Sequence, residues 1–332
     1  MSAPPAQACA WFLKPDMLTT RLPHDGPEIS VLALGAASLG SVYSHVSQAH
    51  ADATVQTALD LGVSLIDVAP YYGLTRAETA LGHALQGVER SRYTLATKVG
   101  RYGDKAWDFS RDATLRSLDE SLRRLKTGHV DILQCHDIEH GDLKQLVEEA
   151  LPALRDLKAQ GVIRYVGITG YDLAVLEKIA VEQQIDTVMA YCTFTLQDQR
   201  LGPVARRLKT HDIAVFNASP LGMGLLTRKG PPDWHPGHET VHRAAAEAAR
   251  ICTEAGSDIS RLAVQWALRQ AAEHGIASTV IGSSSAANMR DNVAAMSASV
   301  DAALLAHVET VLAPVRDKGW DVLPGNGGKA GQ

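Results

Sequence analysis

Four residues able to move a proton or steady a charge fall within one stretch of the chain: Asp67, Tyr72, Lys98 and His136. Asp67 lies in the apolar run "VSLIDVA" (63–69), and Tyr72 follows in "PYYG", just ahead of Gly73. Lys98 stands near the end of "RYTLATKVG" (92–100), and His136 near the end of "HVDILQCHD" (129–137). A phenol with a pKa near ~10 is a poor base at neutral pH. A lysine ammonium beside it favours the phenolate, and a carboxylate on the far side holds that ammonium charged and oriented. A histidine in reach can hydrogen-bond the reacting oxygen. Together the four make a tyrosine tuned for proton transfer at a carbonyl or hydroxyl. Redox chemistry at that carbon also needs a hydride carrier, because no side chain supplies one. Singly, each has a plainer reading: Asp67 as a helix cap, Lys98 as a rim ion pair, His136 as a hydrogen-bonded strand end, Tyr72 as packing. The catalytic reading requires all four at one rim.

Eight strand-like runs supply such a rim. They are 31–35, 63–69, 92–100, 129–137, "RYVGITG" (164–170), "DTVMAYC" (186–192), "IAVFNASP" (213–220) and "ASTVIG" (277–282). Helix-like segments alternate with them at 52–62, 76–86, 111–126, 143–161, 173–183 and 201–211, then 239–255 and 259–270, with a last one at 286–297. The strands are short and apolar without alternation, as in a parallel sheet buried on both faces. No Gly-rich nucleotide fingerprint follows the first strand, so the repeat predicts a (β/α)8 TIM barrel rather than a doubly wound sheet. In such a barrel chemistry gathers at the carboxyl ends of the strands. The chain, 1–332, reads as one domain with a core of about 28–313 and a surface extension, 314–332, that frays at its end.

Composition sets bounds. With 45% hydrophobic and 21% charged residues the chain can bury a large core, and a net charge of −5 gives no general attraction to nucleic acid or anionic membrane. No apolar run approaches the ~20 residues of a membrane span. The start, "MSAPPAQACAWFLKPDM", lacks the pattern of a secretion signal, so a cytoplasmic enzyme, monomer or homodimer, is expected. Cys9, Cys135, Cys192 and Cys252 form no CxxC pair. "HDIEHGD" (136–142) is rich in histidine and carboxylate, but a metal-dependent hydrolase needs ligands from several strand ends, and the first strand ends "LGAASLG". Asp137, Glu139 and His140 are therefore read as a solvated loop over the mouth, with Asp137 or Glu139 as alternative substrate contacts.

At the four residues the sequence resembles the aldo-keto reductase superfamily, over about residues 28–313, and within it the aldose 1-dehydrogenases of the L-galactose and L-fucose (D-threo-aldose) type. The strings that carry this are 66–73, "TKVGRYG" (97–103), "CHDIE" (135–139), "GITG" (167–170), "NASPLGMGLLT" (217–227) and "GPPDWHP" (230–236). The resemblance implies an (α/β)8 barrel using NAD(P)(H), with Asp67, Tyr72, Lys98 and His136 as its catalytic tetrad and a sugar as the small-molecule substrate. It further implies cofactor contacts from Thr169, Asn217, Ser219, Leu221, Gly222, Gly282, Ser283, Asn288, Asp291 and Asn292. Two departures touch the nicotinamide: the family's stacking tyrosine is replaced by Ala218, and its Ser-Asn pair by Thr169 and Gly170. A third touches the adenosine end, where Gly282 and Asn288 replace the Lys and Arg that grip a 2′-phosphate in NADPH-preferring relatives, leaving Arg290 as the nearby cation. A phosphate without cationic partners loses its charge-assisted bonds, so NAD is expected over NADP. Trp107, Phe109 and Trp234, with His136, are expected to line the sugar. Other outcomes of the same chemistry are a pyridoxal 4-dehydrogenase or an aldehyde reductase; a non-catalytic cofactor-binding subunit stands outside it.

Overall fold

The structure, a computed structural model, describes residues 17–42 and 44–320. The expectations for the chain's start and for its frayed end concern residues outside these. Eight parallel strands close into a barrel: β3 (Leu32–Gly35), β4 (Leu65–Asp67), β5 (Thr94–Val99), β8 (Ile132–Cys135), β9 (Tyr165–Gly170), β10 (Thr187–Tyr191), β11 (Ala214–Ala218) and β12 (Ile276–Gly282). They are the eight runs read from the sequence, seven with ends trimmed by up to a few residues and the last beginning one residue earlier, at Ile276. Successive side chains on a strand point to opposite faces. Ala33, Leu65, Ala96, Ile132, Tyr165, Met189, Phe216 and Val280 fill the interior. Leu34, Ile66, Leu95, Leu133, Ile168, Val188, Val215 and Ile281 pack outward against the helices. Both sets are apolar, which is why no strand shows polar alternation.

The helical layer holds α1 (Gln48–Asp60), α2 (Arg76–Ala84), α3 (Arg111–Leu125), a single turn α4 (Leu143–Gln145) and, after a π-helical turn, α5 (Leu151–Ala159). It continues with α6 (Leu173–Glu182), α7 (Leu201–Lys209), α8 (Glu239–Glu254), α9 (Ile259–His274), α10 (Ala286–Ser297) and α11 (Ala302–Leu312). The last of these had no counterpart in the sequence reading. It buries Leu304, Val308 and Leu312, one stripe at intervals of four.

Two hairpins were also not foreseen. β1 (Thr19–Arg21) and β2 (Glu28–Ser30) pair antiparallel. They plug the amino-terminal end of the barrel, sending Leu22 and Ile29 into its interior cluster. Thr20 Oγ1 donates to the Ala277 carbonyl at 2.8 Å, and Ser278 Oγ to that of Ser30 at 2.8 Å. At the opposite end β6 (Arg101–Gly103) and β7 (Ala106–Trp107) form a short hairpin directly after β5.

The segment beyond Pro314 runs back over the loop after β10. Gln197 donates its amide to the carbonyls of Val315 (2.7 Å) and Lys318 (3.2 Å), and Asp317 accepts from Gln199 N at 2.7 Å. Trp320 then stacks on Tyr171, ring centroids 4.8 Å apart and planes nearly parallel, while its backbone N–H donates to the Tyr171 hydroxyl at 2.7 Å.

Candidate active site

The carboxyl-end rim follows from strand alternation. Counting by twos from the interior residues brings Gly35, Asp67, Lys98, Thr169, Tyr191, Ala218 and Gly282 inward at the ends of their strands, with His136 just past the end of β8. Polar residues occupy one side of this ring, and β11, β12 and β3 contribute the small Ala218, Gly282 and Gly35.

Asp67 and Lys98 form the base of the polar side. Lys98 Nζ lies 2.7 Å from both carboxylate oxygens and donates to the Val68 carbonyl at 3.1 Å. The two side chains are 4% and 1% exposed, so water screens little of their attraction. Burial pushes the Asp67 carboxyl above its usual range, with the Lys98 ammonium pulling the other way.

Tyr72 arrives on a tight loop. Its N–H donates to Ala69 O at 3.1 Å and its carbonyl accepts from Ala77 N at 3.2 Å, while Gly73, Leu74 and Thr75 follow in left-handed conformations. Gly73 has two reasons to be glycine: φ is +60°, and a Cβ would lie 2.4 Å from the Gly40 carbonyl oxygen. The turn sets the Tyr72 ring with Lys98 Nζ 4.8 Å from its centroid and the His136 ring edge-on at 5.6 Å.

His136 is buried, and its Nδ1 has no hydrogen-bond partner among the described residues. Burial pulls its pKa down to about 3 despite the Asp137 carboxylate, and the Lys98 and Arg101 charges add to the effect. At neutral pH it is an uncharged imidazole.

The loop after β8 is not solvated, contrary to the sequence reading. Asp137, 3% exposed, forms a buried ion pair with Arg101, and its N–H donates to Thr169 Oγ1 at 3.0 Å. Burial pushes this carboxyl up, but His136 and Arg101 outweigh it and hold it below the ordinary range. Glu139 accepts from Tyr171 N at 2.6 Å; burial, with Asp137 close by, raises it to about 7. His140 lies against Trp107 with centroids 5.2 Å apart, and Asp142 caps α4 by accepting from Lys144 N and Gln145 N. Asp137, Glu139, His140 and Asp142 thus each have a partner within the protein.

The remaining expected residues divide. Thr169 faces the interior at the mouth. Asn217 does not: its Nδ2 donates to the Phe194 carbonyl at 3.0 Å, on the helical side of β11 with Val215, because Phe216 and Ala218 take the inward positions. Phe109 is fully buried and cannot line a substrate. It fills the notch where a Cβ on Gly100 or Gly141 would sit 2.1 or 2.3 Å from its ring, which makes it the packing core of the mouth loops. Trp107 is half-buried on the hairpin at the rim, and Trp234 is half-buried in the long loop after β11. Beside Trp234, His235 is the residue that turns inward, edge-on to Trp320 at 5.3 Å.

Ser219 and Gly222 begin that loop in left-handed conformations, with Leu221 between them. Ser283 is buried, and Ser285 caps α10 by accepting from Asn288 N. Asn288 and Asp291 are exposed on the first turns of α10, and Asn292 is half-buried. Sequence reasoning missed Arg101, Tyr71, Tyr191 and Trp320 at this rim. Arg101 and Tyr71 lay inside quoted motifs and carried a usable signal, each a few residues from a tetrad member.

A closed parallel barrel with a buried Asp–Lys pair, a tyrosine and a neutral histidine at its carboxyl rim defines a class: a barrel oxidoreductase of the aldo-keto reductase type. The chain belongs to the aldo/keto reductase family, whose sequence model matches residues 31–313. It is 40% identical over 309 residues to the L-galactose dehydrogenase of Arabidopsis thaliana, covering 90% of this chain and 95% of that protein. It is 32% identical over 263 residues to the D-arabinose 1-dehydrogenase of Saccharomyces cerevisiae, covering 75% and 78%. Among solved structures it resembles an aldo-keto reductase from Bacillus halodurans, with a TM-score of 0.74 and 26% identity over 92% of this chain and 99% of that one.

Enzymes of this family work with nicotinamide cofactors. The rim fits one. Ala218 and Gly282 keep the side chains at the ends of β11 and β12 small, with Ser38 Oγ, 3.5 Å away, as what a Cβ on Gly282 would meet, and the capped start of the twelve-residue α10 offers N–H groups suited to a phosphate.

Proposed function

We propose that this enzyme is an NAD-preferring aldose 1-dehydrogenase that oxidises the anomeric hydroxyl of a pyranose, of L-fucose, L-galactose or D-arabinose type, to the lactone. The observation that carries the reading is the buried bidentate Asp67–Lys98 pair beneath Tyr72, with neutral His136 at the ring edge. Similarity to L-galactose and D-arabinose dehydrogenases supports the sugar.

Tyr72, with the Lys98 ammonium stabilising its phenolate, takes the proton of the C1 hydroxyl. Asp67 fixes Lys98, which has no other carboxylate within its bonds. His136, uncharged, donates a ring N–H to the C1 oxygen and orients it without adding a positive charge. As C1–H breaks with its electron pair, the C1–O bond becomes a carbonyl and the proton resides on Tyr72. The bound nicotinamide supplies the hydride acceptor. Thr169, Ser219, Leu221, Gly222, Ser283, Asp291 and Asn292 would hold it.

Preference for NAD rests on the adenosine end. Neither Gly282 nor Asn288 carries a charge, and Arg290, two residues on, projects about 200° around α10 from Asn288, the wrong face for a shared ligand.

Initial rates with NAD and NADP against L-fucose, L-galactose, D-arabinose, D-glucose and pyridoxal test the reading. Turnover of the first three with NAD is the expected result; turnover of pyridoxal alone, or of no sugar, rejects the aldose assignment. Tyr72→Phe should lower kcat by ~10²–10⁴-fold with cofactor affinity retained, and unchanged turnover would remove Tyr72 from its role.

A further inference from the structure

Arg101 is a charged residue built into the mouth at some expense, and the tetrad does not use it. Its side chain is 14% exposed. The guanidinium carbon lies 3.7 Å over the Tyr71 ring and 4.9 Å from the Trp107 centroid, and Nη1 pairs with the Asp137 carboxylate. Every partner is itself fixed. The Tyr71 hydroxyl donates to Asp104 at 2.8 Å, and Trp107 lies against His140. Asp137 is tied through its N–H to Thr169. Burial disfavours the Arg101 charge, while Asp137, Tyr71 and Tyr191 hold it in place.

This assembly touches the barrel strands through Thr169 at the end of β9. It links the β6–β7 hairpin to the loop after β8, and it stands beside the reaction site, since the Tyr71 ring is 5.9 Å from that of His136. Desolvating a guanidinium and a carboxylate there is costly, and an apolar contact would bridge the loops as well. Two donors in the cluster also have no hydrogen-bond partner among the described residues: Arg101 Nε and Trp107 Nε1, both buried. Buried N–H groups are almost always satisfied, so two such donors on neighbouring side chains at a strand-end mouth call for an acceptor that binds there.

We propose that Arg101, with the indole N–H of Trp107, is a specificity-determining residue that reads the hydroxyls of the substrate away from C1. The planar, locked guanidinium presents donors at fixed angles, as recognition of one hydroxyl arrangement requires. The inference rests on the aldose reading and adds to it a selectivity for oxygen-rich rings over simple aldehydes. A site that hydrogen-bonds a hydroxyl rejects the analogue lacking it far more strongly than an apolar pocket does.

The test is a cycle between residue and hydroxyl. NAD-dependent kcat/KM is measured for wild type, Arg101→Lys and Trp107→Phe on L-galactose and its monodeoxy analogues, with NAD affinity measured for each variant. Lysine keeps the charge opposite Asp137 without the guanidinium donors, and phenylalanine keeps a ring without the indole N–H. In wild type, one deoxy analogue should lose at least ~tenfold in kcat/KM, and that loss should shrink to less than ~threefold in Arg101→Lys, chiefly through KM. A loss that is the same for every sugar and analogue, or no loss in either variant, overturns the inference. A wild type that oxidises no aldose but binds NAD sinks the reading beneath it instead.

Discussion

The Asp67–Lys98 pair makes a prediction whose size and pH dependence both follow from burial. Lys98→Met removes the ammonium and leaves the Asp67 carboxylate with no cation inside the barrel. Neither group is exposed enough for water to repair the loss, and removing one partner of a buried pair costs about 3–5 kcal/mol. With a urea m-value of about 3 kcal/mol/M, the unfolding midpoint should fall by about 1–1.7 M at pH 8. Burial already raises the Asp67 pKa, and the variant lacks the Lys98 charge that opposes it. The folded variant therefore holds a proton that the unfolded chain, at the ordinary carboxylate pKa, has released. A group raised on folding adds stability at low pH that is lost as pH climbs through its folded value. The deficit should thus be smaller at pH 5 than at pH 8. Asp67→Asn/Lys98→Met removes both charges and should recover at least ~2 kcal/mol of the loss at pH 8, with no pH trend of its own. Urea unfolding followed by intrinsic fluorescence at the two pH values decides it. Equal destabilisation of single and double variants, independent of pH, would refute the reasoning.

His136, depressed to about 3, should keep the neutral imidazole signature by NMR down to pH 5. Its unfolded counterpart takes up a proton near ~6.5, so wild type should lose stability on acidification from there in a way that His136→Gln does not. Gly282→Lys/Asn288→Arg should raise kcat/KM with NADP by at least ~tenfold, since a Cβ at Gly282 meets only Ser38 Oγ, at 3.5 Å, and the new cations restore charge-assisted bonds. Gly73→Ala forces a Cβ toward the Gly40 carbonyl and shifts the Tyr72 loop, so kcat should fall by up to ~10²-fold; unchanged kcat would mean that the loop tolerates the shift.

The barrel was legible because strands buried on both faces must be apolar throughout, a pattern that survives in a linear string. The meeting of Asp67, Lys98 and His136 at one rim was legible because strand ends locate them. What escaped depended on features that the string carries weakly. The β6–β7 hairpin is two short, polar pieces without periodicity, so its existence could not be read, and Arg101 was marked only by its place three residues after Lys98. Phe109 was assigned to the sugar because an aromatic in a mouth loop suits one; the two glycines that it fills, 100 and 141, are far apart in sequence. Asn217 was assigned by its place in a family motif, but the parity of β11, set by Phe216 turning inward, sends it the other way. The stripe of Leu304, Val308 and Leu312 was a readable helical signal in α11 that the segmentation passed over. Trp320 reaches the mouth through Gln197, more than a hundred residues earlier, a contact that no local pattern encodes.

The plug at the barrel's floor has a bearing on time as well as space. Thr20 bonds to Ala277, 257 positions away, and Ser278 to Ser30. On a ribosome the first hairpin leaves the exit tunnel with none of these partners yet made. Leu22 and Ile29 have no interior to enter until the final strand is synthesised and swings in beside β3. Closure of the ring and seating of its stopper therefore belong to one late event, which waits for residues 257 positions beyond the hairpin. Contacts of such sequence separation form slowly, and the waiting hairpin is the segment most open to capture by a chaperone or by a neighbouring chain.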